Sequence, residues 1–469
     1  MFATLNLVIL IHFVSFPDFS RSGCDPQIHS RIPNIKISII DFGAIPDDGK
    51  DDSIAINKAI KSLYPKGGIV YFPNGNWTLE NRIHVNSDNV YLQGNNSTLF
   101  CPKSLADIYG ENKNWSWSSG FIVLSPKGKN TKLGNIQSAA NDGDTKVEVS
   151  WTDEPPALGQ WVQIWWYNDI GSDTLLKWLY GDAIAPKKYG TEMQSATTPR
   201  IKSWFKVVSI NGNTLELDPP LPLPVNSQWK PTLMDVSHLS HCIVEGFNFE
   251  FVESAYPGHL KERGHNCISV SSTVDSQIQN ISTTFADSGI ILNNCGFITI
   301  NNVETHGRYM HHPISLSYCS HCLVKEFALN APHIHGTTIS WGSHFNVFTN
   351  GQGNALAMDS HRACSFRNLH QNIIIKHGKI PQQPLRSGGS YNRGLHAARE
   401  NVYLNIEHKF QSSGETFEIR LLEEWPLGIF IGWHGNGQLI MKPALSGQIV
   451  RDLNKKSDVS LYLQSPSKF

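Results

Sequence analysis

Between Cys267 and Glu407 the chain repeats itself, and no other feature restricts its fold as tightly. Stacked, the copies read CISVSSTVDSQIQN (267–280), GIILNNCGFITINNV (289–303), PISLSYCSHCLVKEF (313–327), GTTISWGSHFNVFTN (336–350), ALAMDSHRACSFRNL (355–369) and GLHAARENVYLNIE (394–407). Successive copies start 22, 24, 23 and 19 residues apart, and the last follows after 39 because a loop, 376–392, intervenes. Each holds a short alternating apolar strand, a turn of small or polar residues, and a second strand ending near Asn. A period of about twenty to thirty residues with two or three strands per copy predicts a parallel β-helix, since one such unit cannot bury its apolar face alone. The leucine-rich spacing with its helical return is absent.

Alternation within each copy predicts that Leu292, Leu316, Ile339 and Met358 point inward as one buried column. Polar columns are then expected outside. One runs Asn266, Ser288, His312, His335, Asn354, Arg393, and the other Ser271, Asn293, Ser317, Ser340, Asp359, Ala398. Composition agrees with an all-β chain of many turns: 40% hydrophobic, 17% charged, 37 Gly.

A second motif lies upstream. Residues 40–100 carry D-F-G-A, then D-D-G-x-D-D, an A-I-x-x-A-I helix, and G-G-x-V-x-F-P-x-G. This resembles the N-terminal entry of the pectate-lyase-like right-handed parallel β-helix superfamily, which includes polysaccharide lyases, polygalacturonases and phage tailspikes. The resemblance implies an all-β solenoid with an N-terminal capping helix, in which Asp47, Asp48, Asp51 and Asp52 are structural. Residues 126–232 break the repeat and read as a small inserted β subdomain, whose Trp161, Trp165, Trp166 and Trp178 either stack on sugars or form a core. The expected organisation is a signal peptide over 1–22, cap and first coils over 34–125, coils again over 233–410, and capping strands over 411–469. The apolar run Leu5–Phe16 is too short to span a bilayer and reads as a secretory leader. A secreted protein is expected, with N-x-S/T sequons at Asn76, Asn95, Asn96, Asn114 and Asn280. Of the eight cysteines, Cys295 with Cys319 and Cys322 with Cys364 are expected as stacked core residues rather than disulfides. No zinc-finger spacing accompanies the Cys319-x-x-Cys322 pair, so neither metal nor cofactor is expected.

The chemistry concentrates in 306–396. This stretch holds eleven of the twenty histidines and eight Lys or Arg, against two acids, Glu326 and Asp359, in a chain whose net charge is only −1. A cationic, imidazole-rich strip on a stacked scaffold needs either an anionic partner or a metal to explain it. The expected partner is an anionic polysaccharide, with no nucleic acid, no membrane and a monomeric chain. Hydrolysis of a glycosidic bond usually needs two opposed carboxylates, and the available pair is Asp359 with Glu400. Elimination from a uronic acid needs a cation on the carboxylate, a base for the C5 proton and an acid for the leaving oxygen. His312 or His335 is the expected base, with His361 or Tyr309 as the acid. Arg308, Arg362, Arg393, Arg399, Asp359 and Asn354 are the expected substrate-binding groups. A polysaccharide lyase fits the residue types best; the Asp359/Glu400 hydrolase and a non-catalytic carbohydrate-binding solenoid are the alternatives.

Overall fold

A computed structural model describes residues 16–462. The acidic turn folds first onto its own backbone. Asp52 precedes the helix Ser53–Ser62, accepts from Ile45 N and Thr78 N at 3.0 Å each, and is buried. Asp51 accepts from Ser53 N and Glu80 N, and Asp47, in the left-handed region at φ 62°, accepts from Asn76. Asp51 thereby satisfies a backbone donor at the helix start, and the other carboxylates pin the turn to the neighbouring strand around Asn76–Thr78. The helix buries Ile56, Ala59 and Ile60 against the first coil.

From there the chain winds. Each coil contributes a short strand to a six-stranded sheet and a longer one to a fifteen-stranded sheet, all parallel. The order Asn266–Ser271, Thr273–Thr284, Ser288–Asn293, Gly296–His306, His312–Ser317, Leu323–Leu329, Thr337–Ser340, Val347–Asn354 alternates strictly between them. Parallel strands joined by such crossovers wind right-handed. Leu292 pairs with Leu316 and Leu316 with Ile339, and these three and Met358 are fully buried. Burial of one aliphatic side chain from each coil contributes roughly 1.5–3 kcal/mol per rung.

The register departs from expectation at the fourth copy. Ile339 bridges Ser360 rather than Met358, a slip of two residues. An even slip keeps every side chain on its face, so Met358 stays inside while Asp359 lies level with Thr338 instead of Ser340. Asn354 therefore leaves the polar column, ending the strand Val347–Asn354 with its side chain on Asn330 O at 2.8 Å. Cys364 likewise does not stack on Cys322, whose backbone N–H donates to Asn346 Oδ1 at 3.0 Å. Asn346, Asn368 and Asn401 form a buried amide ladder, linked at 2.9 and 3.0 Å. A second asparagine column, Asn280, Asn302, Asn350, Asn372 and Asn405, bends the long strands, each residue left-handed with φ between 53° and 56°. Asn adopts that conformation at low cost. All eight cysteines are free thiols.

Six strands between Thr131 and Asp235 close into an antiparallel barrel seated on the solenoid. Its core merges with Ala363, Cys364, Phe366 and Ala398 of the coils. Trp166 is buried in that core, Trp178 packs edge-on to Phe366 and Trp161 lies against Phe297, so the tryptophans are packing groups. At the C-terminal end Ile429–Ile431 and Ile449–Arg451 extend the large sheet, and Trp425 and Trp433 are buried beneath them. The leader run lies outside the described residues except for Phe16. Phe19 is buried against Leu323, Val347 and Leu369, and Ser22 Oγ donates to Phe345 O at 2.6 Å. A leader boundary at residue 22 would remove Phe19 from this cluster.

Candidate functional site

The loops that return from the large sheet to the small one deliver imidazoles to a single place. His312 opens its strand and pairs in parallel register with Ser288; His335 N–H donates to His311 O at 3.0 Å on the next coil. The rings of His312 and His335 stack at 4.6 Å, as the expected column requires. His311 lies 4.1 Å from His312 and 5.1 Å from His335 between ring centres, and His361 lies 4.6 Å from His335. His259, on the loop between Phe251 and Asn266, closes the group at 4.9 Å from His311.

Asp359 is the hub. Fully buried, its Oδ2 accepts from His361 Nδ1 at 2.8 Å, from His335 Nδ1 at 2.9 Å and from Thr338 Oγ1 at 3.2 Å, while Oδ1 accepts from Gly388 N at 3.0 Å. Burial alone would raise this carboxyl, but the imidazoles of His361 and His335 outweigh it and hold it well below the usual carboxylate range. An ionised carboxylate only accepts, so both Nδ1 atoms carry hydrogen. Among His311, His312, His335 and His361, His361 is the most open, with 18% of its side chain exposed. His312 is buried, its Nδ1 3.1 Å from Thr338 Oγ1; burial first, and then His311 and His335, drive its pKa well down. His311 is pushed to about 3 by burial and by His335. His311 and His312 are thus neutral imidazoles at neutral pH.

The loop that interrupts the repeat covers the group. A Cβ built on Gly388 would fall 2.3 Å from His335 Cε1 and 2.6 Å from His361 Cε1, so only glycine allows this approach. Beside it, Tyr309, His333, Asn354, Lys376 and Gln382 line a polar cavity of about 300 Å³. Of these, Tyr309 is 44% exposed.

The arginines expected to hold substrate are engaged elsewhere. Arg308 is nearly buried and bonded to Asp287 Oδ1 at 2.8 Å. Arg362 donates to Gly394 O and lies 3.5 Å from Glu424 and 3.3 Å from His396. Arg393 pairs with Glu192 at 3.1 Å and stacks on Trp341; Arg399 pairs with Glu400 at 3.1 Å and lies over Trp178. For Arg393 and Arg399 the reason is the barrel segment, which the repeat alone does not place against the turn that carries them. Glu400 is gripped by Arg367 at 2.6 Å as well, so it shares no partner with Asp359. Many histidines of the strip are also packing groups: His370 stacks between Phe348 and Tyr403, and His344 lies on Phe366.

Four participants were missed from sequence: His259, His311, Glu262 and Gly388. Glu262 is buried, accepts from the Tyr256 hydroxyl and lies 3.5 Å from His311 Nδ1. His259 and Glu262 stand outside the repeat, where no register assigns them a column. His311 sits next to a column position and signalled itself only as one half of His311-His312. Two groups bring three ligand atoms within 4.8 Å of one another: His259, His311, His335, and His335, Asp359, His361.

Comparison with known proteins follows the scaffold rather than the site. A profile described as "Rhamnogalacturonase A/epimerase, pectate lyase-like" matches residues 36–121. No curated protein matches the chain. Among solved structures, the tailspike gp61 of Pseudomonas phage phi297 is 11% identical, covering 91% of this chain and 81% of its own, with TM-score 0.46. The A-module of the mannuronan C-5 epimerase AlgE4 of Azotobacter vinelandii is 11% identical over 90% of this chain and 96% of its own, at 0.43. An exopolygalacturonase of Thermotoga maritima is 13% identical over 91% and 95%, at 0.41. Residues 36–121, which carry the entry motif, thus match the pectate-lyase-like family model, and the coils that follow continue them as a parallel β-helix.

Proposed function

We propose that this is a secreted enzyme that cleaves an anionic, uronic-acid-containing polysaccharide by β-elimination. The observation that carries the reading is the dyad His361–Asp359 within the imidazole cluster. Asp359 holds His361 Nδ1–H at 2.8 Å, which leaves Nε2, on a partly open imidazole, as a base of fixed tautomer. His361, rather than the buried His312 or His335, takes the C5 proton, and Tyr309 at the cavity mouth returns one to the leaving oxygen. The hydrolase pair Asp359/Glu400 would need two carboxylates facing one bond; Asp359 lies among imidazoles and Glu400 between two arginines.

The test is a panel of uronate polymers, sulfated and unsulfated, read by the ultraviolet absorbance of unsaturated products. Elimination predicts that absorbance, its loss in His361→Ala and its retention in Glu400→Gln. New reducing ends without absorbance, abolished by Glu400→Gln, would establish the hydrolase instead. Binding without any product would leave a carbohydrate-binding solenoid.

A further inference from the structure

Elimination needs positive charge at the uronate carboxylate, and the four arginines expected there are bonded to Asp287, Gly394, Glu192 and Glu400. The structure assigns a different source of charge: we propose that His259, His311 and His335 form a binding site for a divalent transition-metal ion of the zinc type. The role of that ion in elimination rests on the reading above; the site itself rests on geometry.

Two of the three imidazoles are already set as ligands. His311 Nδ1 lies 2.7 Å from Ser116 O, a carbonyl that can only accept, so the hydrogen is on Nδ1 and the lone pair on Nε2. His335 Nδ1 is committed to Asp359 in the same way at 2.9 Å. A ligand histidine whose other nitrogen donates to a carboxylate or a backbone carbonyl is the usual outer arrangement of a metal site, because it fixes the tautomer and raises basicity. His335 Nε2 is buried without a hydrogen-bond partner, on a residue only 5% exposed. An orphaned buried acceptor costs about 1–3 kcal/mol unless something coordinates it. One ligand atom from each of His259, His311 and His335 lies within 4.8 Å of the other two. Zinc–nitrogen bonds of about 2.0–2.1 Å in tetrahedral geometry put ligand nitrogens roughly 3.3 Å apart, so the rings need a modest inward shift. His259 can supply it, being exposed on a loop without regular structure.

Donor chemistry selects the ion. Three neutral nitrogens suit zinc and its first-row neighbours, whereas calcium and magnesium require oxygen ligands. Three protein ligands, one of them at the surface, leave a fourth position for water or a substrate carboxylate, the pattern of a catalytic rather than a structural site.

The untagged full chain, stripped with a chelator, is titrated with zinc chloride by calorimetry and with cobalt(II) by visible spectroscopy. One ion per chain and a tetrahedral cobalt spectrum are expected. His259→Ala, which touches no core, and His335→Ala each lower zinc affinity roughly 10²-fold, and Asp359→Asn lowers it about 10–100-fold. His306→Ala, an exposed histidine outside the group, leaves it unchanged. Zinc binding equal in the native chain and His259→Ala, or an octahedral cobalt spectrum, overturns the site. Zinc binding as described without unsaturated products on any polymer upholds the site and removes elimination. Unsaturated products that survive chelation, from a chain that does not bind zinc, remove the site and leave elimination standing.

Discussion

Replacing Asp359 by Asn removes one charge and almost no volume, and it tests the hub directly. The carboxylate accepts four hydrogen bonds, from His361, His335, Thr338 and Gly388, with no exposure to solvent. In Asp359→Asn one oxygen becomes an NH₂ that must face a donor. If the amide nitrogen takes the Oδ2 place, it meets two imidazole N–H groups; if it takes Oδ1, it meets the Gly388 N–H. Hydrogen bonds to a charged group contribute about 1.5–3 kcal/mol each, and breaking one partner out of a buried ionic pair costs roughly 3–5 kcal/mol. Some relief comes from imidazole tautomers that turn a lone pair to the amide, so about 3 kcal/mol is expected from the whole change. Urea unfolding followed by tryptophan fluorescence measures it as a lower midpoint at unchanged slope. Because the folded carboxyl titrates well below its unfolded value, its contribution is complete above about pH 4 and is lost as pH falls through the folded pKa. The difference between native and Asp359→Asn should therefore hold constant from neutral pH down to that point. Turnover should fall by roughly 10²-fold or more, because His361 loses its fixed tautomer. A midpoint equal to the native one at pH 7 would refute the claim that Asp359 is an ionised hub.

Gly388→Ala places a methyl 2.3 Å from His335 Cε1, so the covering loop must lift, and a loss of roughly 10²-fold in turnover with an unchanged circular dichroism spectrum is expected. Asn368→Ala empties the middle of the buried amide ladder and should cost about 1–3 kcal/mol in urea unfolding. His370 and His408 are each held at about 3 by burial, far below an unfolded value of about 6.5, so the unfolded chain binds protons that the folded one refuses. Stability from each is present above pH 6.5 and lost as pH falls from about 6.5 towards 3, at about 1.4 kcal/mol per pH unit per histidine. A urea midpoint flat between pH 7 and pH 4.5 would contradict that.

Sequence alone determined the solenoid and its direction. The period, the alternation and the entry motif are local properties, and packing one coil on the next repeats the same contact, so Leu292, Leu316 and Ile339 were readable as one buried column. The stacking of His312 on His335 was readable for the same reason: parallel register carries a column position from coil to coil. Tertiary structure decided everything that depends on parts of the chain outside the repeat. A two-residue slip is invisible to a period-two pattern, so only the backbone shows Asp359 beside Thr338, within reach of two imidazoles at once. The barrel captures Arg393 and Arg399 through Glu192 and Trp178, contacts across some 200 residues of sequence that no local pattern encodes. The return loops bring His259 and Gly388 onto the cluster, and loops carry no register from which their place can be read.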